Sequence, residues 1–162
     1  MSIKELLKSI ENNSNFIVKE PCGLPQIENN HTIPKDVKEF YFLCGGIECY
    51  IKEGGFPLSI LSPDNIISTN VLLFKTNYPN DISFSWYTIA DAYDGNYISI
   101  DFDIKRLGRC YESFEYSHAS KGYCPIIALS FTELLINIIT YTGDYFYWKD
   151  NIKFKSHGDG YD

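Results

Sequence analysis

The stretch SWYTIADAYDGNYISIDF, residues 85–102, decides the fold, because apolar residues alternate on both sides of an Asp-Gly pair. Asp-Gly favours the two-residue type I′ turn of a β-hairpin, in which both central residues need positive φ. The sequence therefore predicts a hairpin that turns at Asp94 and Gly95. The pairs that follow from this turn are Tyr93–Asn96, Asp91–Ile98, Ile89–Ile100 and Tyr87–Phe102.

This register gives the hairpin one apolar face and one mixed face. The apolar face is predicted to belong to the core and carries Tyr87, Ile89, Ile98, Ile100 and Phe102. The mixed face is expected to be more wettable and carries Trp86, Thr88, Ser99, Asp101 and Asp103. Side chains alternate between the faces of a strand, so one register has to account for both sets. Asp91 is the one charged residue that this register places on the apolar face.

The aspartates around Gly95 also suggest a calcium-binding loop. Aligning Gly95 with the invariant glycine of an EF-hand loop puts Asp94 and Asp101 at ligand positions five and twelve. Positions one and three then fall on Ala90 and Ala92, which offer no side-chain oxygen. Because calcium needs six to eight oxygen ligands, the stretch is predicted to be a hairpin and not a metal loop.

Capping signals mark three helices, whose N-termini are placed at Ser2 with Glu5, at Pro34, and at Ser130 with Glu133. The second helix is predicted to end at Gly45-Gly46 and the third at Gly143. Short apolar runs predict strands between them, with a helical turn near SPDNII, residues 62–67, and a buried strand in CPIIALS, residues 124–130. We expect one domain over residues 1–150 and a polar tail, 151–162, whose last residues fray.

Charge, hydrophobicity and cysteine content limit the classes of function that fit this sequence. The 162 residues carry a formal net charge of −7, which argues against direct nucleic-acid binding and suits a basic partner. No apolar run approaches the roughly 20 residues of a membrane span. The five cysteines are odd in number and scattered, and the N-terminal stretch has no apolar signal core. These features predict free thiols and a cytoplasmic protein without a membrane contact.

Candidates for catalysis and metal binding are weak. A nucleophile could be Cys110 or Cys124 with His118, but no family signature surrounds them, and cysteine is commonly a core residue. Asp91, Asp101 and Asp103 could do acid–base work only in a cleft that the sequence does not show.

Two groups of residues resemble zinc ligands. Cys44 and Cys49, with His118 and Cys124 downstream, lack the second closely spaced pair of a zinc site, and Cys44 falls on the apolar face of a predicted helix. A further set, His157, Asp159 and Asp162, lies on the tail. We therefore expect no catalytic residues, no cofactor and no metal.

Binding is the better-supported interpretation. Residues 81–116 hold seven acidic residues against three basic ones, and they are rich in tyrosine. Tyr and Trp are enriched at the centres of protein interfaces. The predicted partner-binding residues are Trp86, Asp101, Asp103, Glu112, Glu115 and Tyr116.

Four stretches, taken together and in order, resemble the SUKH superfamily of bacterial toxin-immunity proteins and fungal regulators of cell-wall synthesis. They are TIPKDVKEFYFLCGG (32–46), SWYTIADAYDGNYISID (85–101), LGRCYESF (107–114) and PIIALSFTELLINII (125–139). The resemblance covers about residues 24 to 148. The segment before Ile33, QIENNHT, departs from it, since the family usually shows a clearer helix there.

The resemblance implies an α+β fold, a largely antiparallel β-sheet flanked by helices in a single domain. It also implies a non-catalytic binding protein that occludes a cognate protein toxin, expected here to be a basic nuclease domain. The alternative it leaves open is a regulatory scaffold or small-ligand-binding module of the same superfamily. The oligomeric state stays open.

Overall fold

The computed structural model of the chain describes residues 1–52, 55–142 and 144–162. Within these residues seven strands form one sheet, each antiparallel to the next, in the order β1 to β7. The strands are β1 (Phe16–Val18), β2 (Ile47–Cys49), β3 (Leu58–Ile60), β4 (Trp86–Asp91), β5 (Asn96–Asp101), β6 (Cys110–Phe114) and β7 (Ile126–Ala128). The helices of the described residues are α1 (Ile3–Ile10), α2 (Lys35–Leu43), α3 (Thr69–Phe74) and α4 (Phe131–Thr140). The α+β prediction is confirmed.

The predicted helix starts are confirmed by their caps. Ser2 accepts the N–H of Glu5 at 3.2 Å, and Ser130 accepts that of Glu133 at 3.1 Å. Pro34 stands at the N-cap of α2. Gly143, expected to end the last helix, lies outside the described residues.

Three helices, α1, α2 and α4, pack on one face of the sheet, here called the helical face. Their apolar stripes contact one another and the apolar residues of the central strands. The rings of Phe40 in α2 and Phe131 in α4, for example, lie 5.0 Å apart between centroids. The predicted core residues of the hairpin, Tyr87, Ile89, Ile98, Ile100 and Phe102, are all buried in this core.

The predicted Asp-Gly turn is confirmed. Asp94 and Gly95 have φ of 51° and 77°, and the N–H of Asn96 donates to the carbonyl of Tyr93 at 2.9 Å. Tyr93 also has positive φ, 61°, and the N–H of Ala92, not that of Tyr93, donates to the carbonyl of Asn96 at 2.8 Å. Tyr93 is therefore an extra residue beside the turn.

The predicted register is wrong because of this residue and a second irregularity at Ile89, between Thr88 and Ala90. The observed pairs are Asp91–Tyr97, Ala90–Ile98, Thr88–Ser99, Tyr87–Ile100 and Trp86–Asp101. A bulge sets two residues of one strand against one of the other, so Ile89 and Ala90 both reach the core. Asp91 now pairs with Tyr97, away from the core, which removes the one conflict in the sequence pattern.

The prediction of a wettable mixed face is wrong for the part of the hairpin near Trp86 and Asp101. This part lies on the face opposite the helices, here called the second face. Trp86, Thr88, Ser99 and Asp101 are fully buried there. One cover is α3, whose Thr69 hydroxyl lies 2.9 Å from that of Thr88 and 2.8 Å from that of Ser99.

The second cover is the end of the chain, so the prediction that the last residues fray is also wrong. The N–H of Gly160 donates to the carbonyl of Cys124 at 2.9 Å, and Tyr161 donates its hydroxyl to Asp81 at 2.7 Å. A Cβ on Gly160 would lie 2.9 Å from atoms of Trp86 and Tyr111. The tail thus closes a small second core.

We expect Gly95→Val to lower the free energy of unfolding by more than about 1 kcal/mol, because a β-branched residue resists positive φ. Its Cβ would also lie 2.5 Å from the carboxyl carbon of Glu115. Urea unfolding is the measurement. Gly122→Val separates the two causes: Gly122 has a similar φ, +86°, with nothing within 4 Å of an added Cβ, so it carries the backbone strain alone and should lose less stability. An unchanged midpoint for Gly95→Val would contradict the turn.

Candidate partner-binding surface

Two of the predicted partner-binding residues, Trp86 and Asp101, lie in the interior. Both are 0% exposed. The indole of Trp86 stacks on Tyr111, with centroids 4.0 Å apart, and donates its Nε1–H to Asp101 at 3.1 Å. Neither side chain can therefore touch a partner directly in this conformation.

Asp101 is instead the acceptor at the centre of a buried network. Its Oδ2 also accepts from Arg106 Nε at 2.8 Å and from the Tyr111 hydroxyl at 2.9 Å. Its Oδ1 accepts from the Ser85 hydroxyl at 2.6 Å and from the backbone N–H of Asp103 at 3.0 Å. Burial, and then the negative charge of Asp101, raise the pKa of the Tyr111 hydroxyl, which holds Tyr111 as a neutral donor.

Two further predicted residues, Asp103 and Glu112, are paired within the chain. Arg106 Nη2 lies 3.6 Å from Asp103 Oδ2, and Lys149 Nζ lies 2.8 Å from Glu112 Oε1. Glu112 is also almost fully covered, at 9% exposure. The negative charge of both carboxylates is therefore compensated internally.

The last two predicted residues, Glu115 and Tyr116, are exposed, and Tyr116 is 84% exposed. They follow β6 at the turn end of the hairpin, where the N–H of Glu115 donates to the carbonyl of Gly95 at 2.9 Å. Acidic and tyrosine side chains of the hairpin gather at the same end. We define the acidic hairpin patch as Asp91, Asp94 and Glu115 with Tyr93, Tyr97 and Tyr116.

The carboxylates of this patch are not neutralised by the residues that the structure describes. Asp91, Asp94 and Glu115 form no ion pair with any residue that the structure describes. Partial burial and the charges of Asp91 and Glu115 raise the pKa of Tyr97. The patch thus combines uncompensated negative charge with aromatic surface.

Local contacts hold the patch in shape. Asp91 Oδ1 accepts the backbone N–H of Tyr93 at 2.7 Å, which fixes the extra residue beside the turn. The Tyr93 hydroxyl lies 2.8 Å from that of Ser59 in β3. The ring of Tyr116 packs on that of Phe114, with centroids 5.3 Å apart. Because these contacts already order the side chains, a partner would restrict them less on binding, and less conformational entropy would be lost.

From the patch, the second face continues across β3, β2 and β1 to the edge of the sheet. The strand registers place Ile17, Glu48, Ser59, Asp91 and Tyr97 in one row from β1 to β5. Residues in register on adjacent strands share a face of the sheet. Glu48, which pairs with Lys19 at 2.7 Å, and Ser59 were missed from the sequence, because only the strand order brings them beside the hairpin.

The nucleophile candidates Cys110 and Cys124 and the candidate base His118 all lie in the interior. Burial raises the pKa of the Cys110 and Cys124 thiols, and it lowers the pKa of His118 to about 4 despite the opposing charge of Asp81. His118 Nε2 lies 2.9 Å from Asn70 Oδ1. At neutral pH these groups are two protonated thiols and a neutral imidazole, and in the described part of the chain each thiol hydrogen-bonds to backbone carbonyls, not to the imidazole.

The described residues contain no cluster of three or more His, Cys, Asp or Glu side chains suited to a metal ion. Cys44 and Cys49 are buried, and His157 contacts Glu133 at 3.0 Å. In the same described part of the chain, none of the helices has the length and apolar character needed to cross a bilayer.

Comparison with known proteins gives a family and a relative. Residues 26–137 match the family described as SMI1/KNR4 (SUKH-1). The chain is also 36% identical to the immunity protein YokJ of Bacillus subtilis (strain 168). This alignment spans 163 positions and covers 100% of this chain and 97% of that relative. No solved structure gives a significant match.

Proposed function

The chain belongs to the SMI1/KNR4 (SUKH-1) family, and from that premise we propose that it is a cytoplasmic immunity protein that neutralises a cognate protein toxin by binding it. The relative named as an immunity protein, similar over its whole length, supports this role. The acidic hairpin patch is the observation that carries the proposal. Its three carboxylates are free of ion pairs among the described residues, so they are available to a partner's basic groups.

The toxin that such a surface fits best is a nuclease domain with a basic cleft. Such a cleft binds phosphates through Lys and Arg and stacks bases on flat side chains. Carboxylates at the patch can take the place of the phosphates, and Tyr93, Tyr97 and Tyr116 can take the place of the bases. Binding there would occlude the cleft by contact alone, without a reaction on the immunity protein.

Electrostatics would also make this binding fast. A negative surface that faces a positive cleft accelerates encounter, and salt screens this effect over about 10 Å at 0.1 M. Fast capture suits a protein that must act before a toxin reaches its substrate. Of the predicted residues, Glu115 and Tyr116 are accessible in this patch, while Trp86, Asp101 and Glu112 would hold the hairpin beneath them. Asp103 is partly exposed but is paired with Arg106.

The test is co-expression with the toxic domain encoded by the gene that neighbours the gene of this chain. We expect growth to be restored, and we expect the purified proteins to form a complex that weakens as salt is raised. An unrelated toxic nuclease is the control, and it should remain lethal. Continued killing, with both proteins shown to be produced and folded, would reject the immunity role and favour the regulatory module.

A further inference from the structure

The free edge of the sheet at β1 is a second part of the interface. We propose that the toxin adds an extended segment to the sheet beside β1, so that one partner covers both this edge and the acidic hairpin patch. The inference rests on the proposed function and specifies the backbone geometry of the same contact.

The two edges of the sheet differ in whether another segment of the described chain pairs with them. At β7 the last residues close the edge: the N–H of Ile126 donates to the carbonyl of Gly158 at 2.8 Å, and the N–H of His157 donates to the carbonyl of Ile126 at 2.9 Å. At β1 no further strand of the described residues follows in the sheet. An exposed edge of this kind is a template for pairing with another chain.

The ladder between β1 and β2 shows which backbone groups are free. The N–H of Lys19 points toward β2, since it donates to the carbonyl of Gly46. Ile17, two residues before Lys19, is in register with Glu48 of β2. In an antiparallel ladder, backbone groups point toward and away from the partner strand in alternation. The N–H and C=O of Val18 therefore point away from β2, toward the open edge.

The side chains at this edge suit an extended partner with apolar residues. Ile17 is 52% exposed and Val18 is 39% exposed, one on each face of the sheet. A strand added beside β1 could cover both through its own alternating side chains. The strand is only three residues long, so the match would be short, and it would need support from a neighbouring contact.

The acidic hairpin patch provides that support because it lies on the same face as Ile17. Strands are about 4.8 Å apart, so a segment added beside β1 would lie roughly 19 Å from Asp91 in β4. A domain of about 100 residues has a radius of gyration of about 13 Å and can span this distance. Continuity of the row from Ile17 to Asp91 thus favours one basic partner for both contacts.

The experiment compares Val18→Pro with Val18→Thr, using calorimetry with the toxic domain encoded by the neighbouring gene. Proline removes the outward N–H and should not break the β1–β2 ladder, which does not use this donor. We expect the affinity to fall about tenfold for Val18→Pro and to change less than twofold for Val18→Thr. Thermal unfolding of each variant shows whether the free protein is intact.

The outcomes separate this inference from the proposed function. If neutralising the acidic hairpin patch weakens toxin binding while Val18→Pro, folded normally, binds as the wild type does, the added strand is rejected and the immunity role stands. If no complex forms with any form of the chain, the immunity role itself fails. If Val18→Pro turns a dimer of this chain into a monomer in sedimentation, a second copy occupies the edge, and the toxin segment is rejected.

Discussion

Replacing Asp101 with alanine is expected to lower the free energy of unfolding by about 3–5 kcal/mol, the range for breaking a buried charge pair. The carboxylate accepts five hydrogen bonds, from Ser85, Trp86, Asp103, Arg106 and Tyr111. Alanine would leave these donors unsatisfied in the interior, together with the partly buried charge of Arg106. It would also leave a cavity beside the stacked rings of Trp86 and Tyr111.

Chemical unfolding of matched variants measures this effect. Asp101→Asn keeps the shape and one acceptor oxygen, so we expect an intermediate loss. Asp64→Asn is the control, because Asp64 is exposed in the short 3-10 helix Pro63–Asn65 and should change stability by less than about 0.5 kcal/mol. A loss below about 1 kcal/mol for Asp101→Ala would show that the network is not a main support of the hairpin.

The local signals in the sequence were reliable because each depends on neighbouring residues. The Ser2 and Ser130 caps bind an N–H three residues away. The Asp94-Gly95 turn depends on φ at two adjacent positions. The register was not predictable from the same signals, since the bulges at Ile89 and Tyr93 together shift the pairing by two residues, which leaves the same residues on the apolar faces. The predicted position of Asp91 on the apolar face was the one sign in the sequence that the register is shifted.

The sequence predicted the composition of the candidate surface, but not which residues belong to it. The hairpin region is acidic and rich in tyrosine, and this was visible in the sequence. Which acids are free depends on distant partners: Lys149 neutralises Glu112 from 37 positions away. Burial of Trp86 likewise depends on Gly160 and Tyr161, at the end of a tail that reads as polar.

Neutralising the acidic hairpin patch is expected to weaken toxin binding about 30-fold, if each of three exposed charges contributes on the order of 0.7 kcal/mol. The variant is Asp91→Asn, Asp94→Asn and Glu115→Gln. Asparagine keeps the acceptor that Asp91 offers to the N–H of Tyr93, and it tolerates the positive φ of Asp94. Stability should therefore change little.

The control must remove the same charge elsewhere, because a lower net charge alone reduces attraction to a basic partner. Glu11→Gln, Glu39→Gln and Asp64→Asn neutralise three exposed acids outside the patch. We expect this triple variant to bind within about threefold of the wild type, and to keep the wild-type dependence on salt. The patch variant should lose part of that dependence, since fewer charged contacts remain to be screened. Equal losses in the two variants would mean that net charge, and not this surface, drives the association.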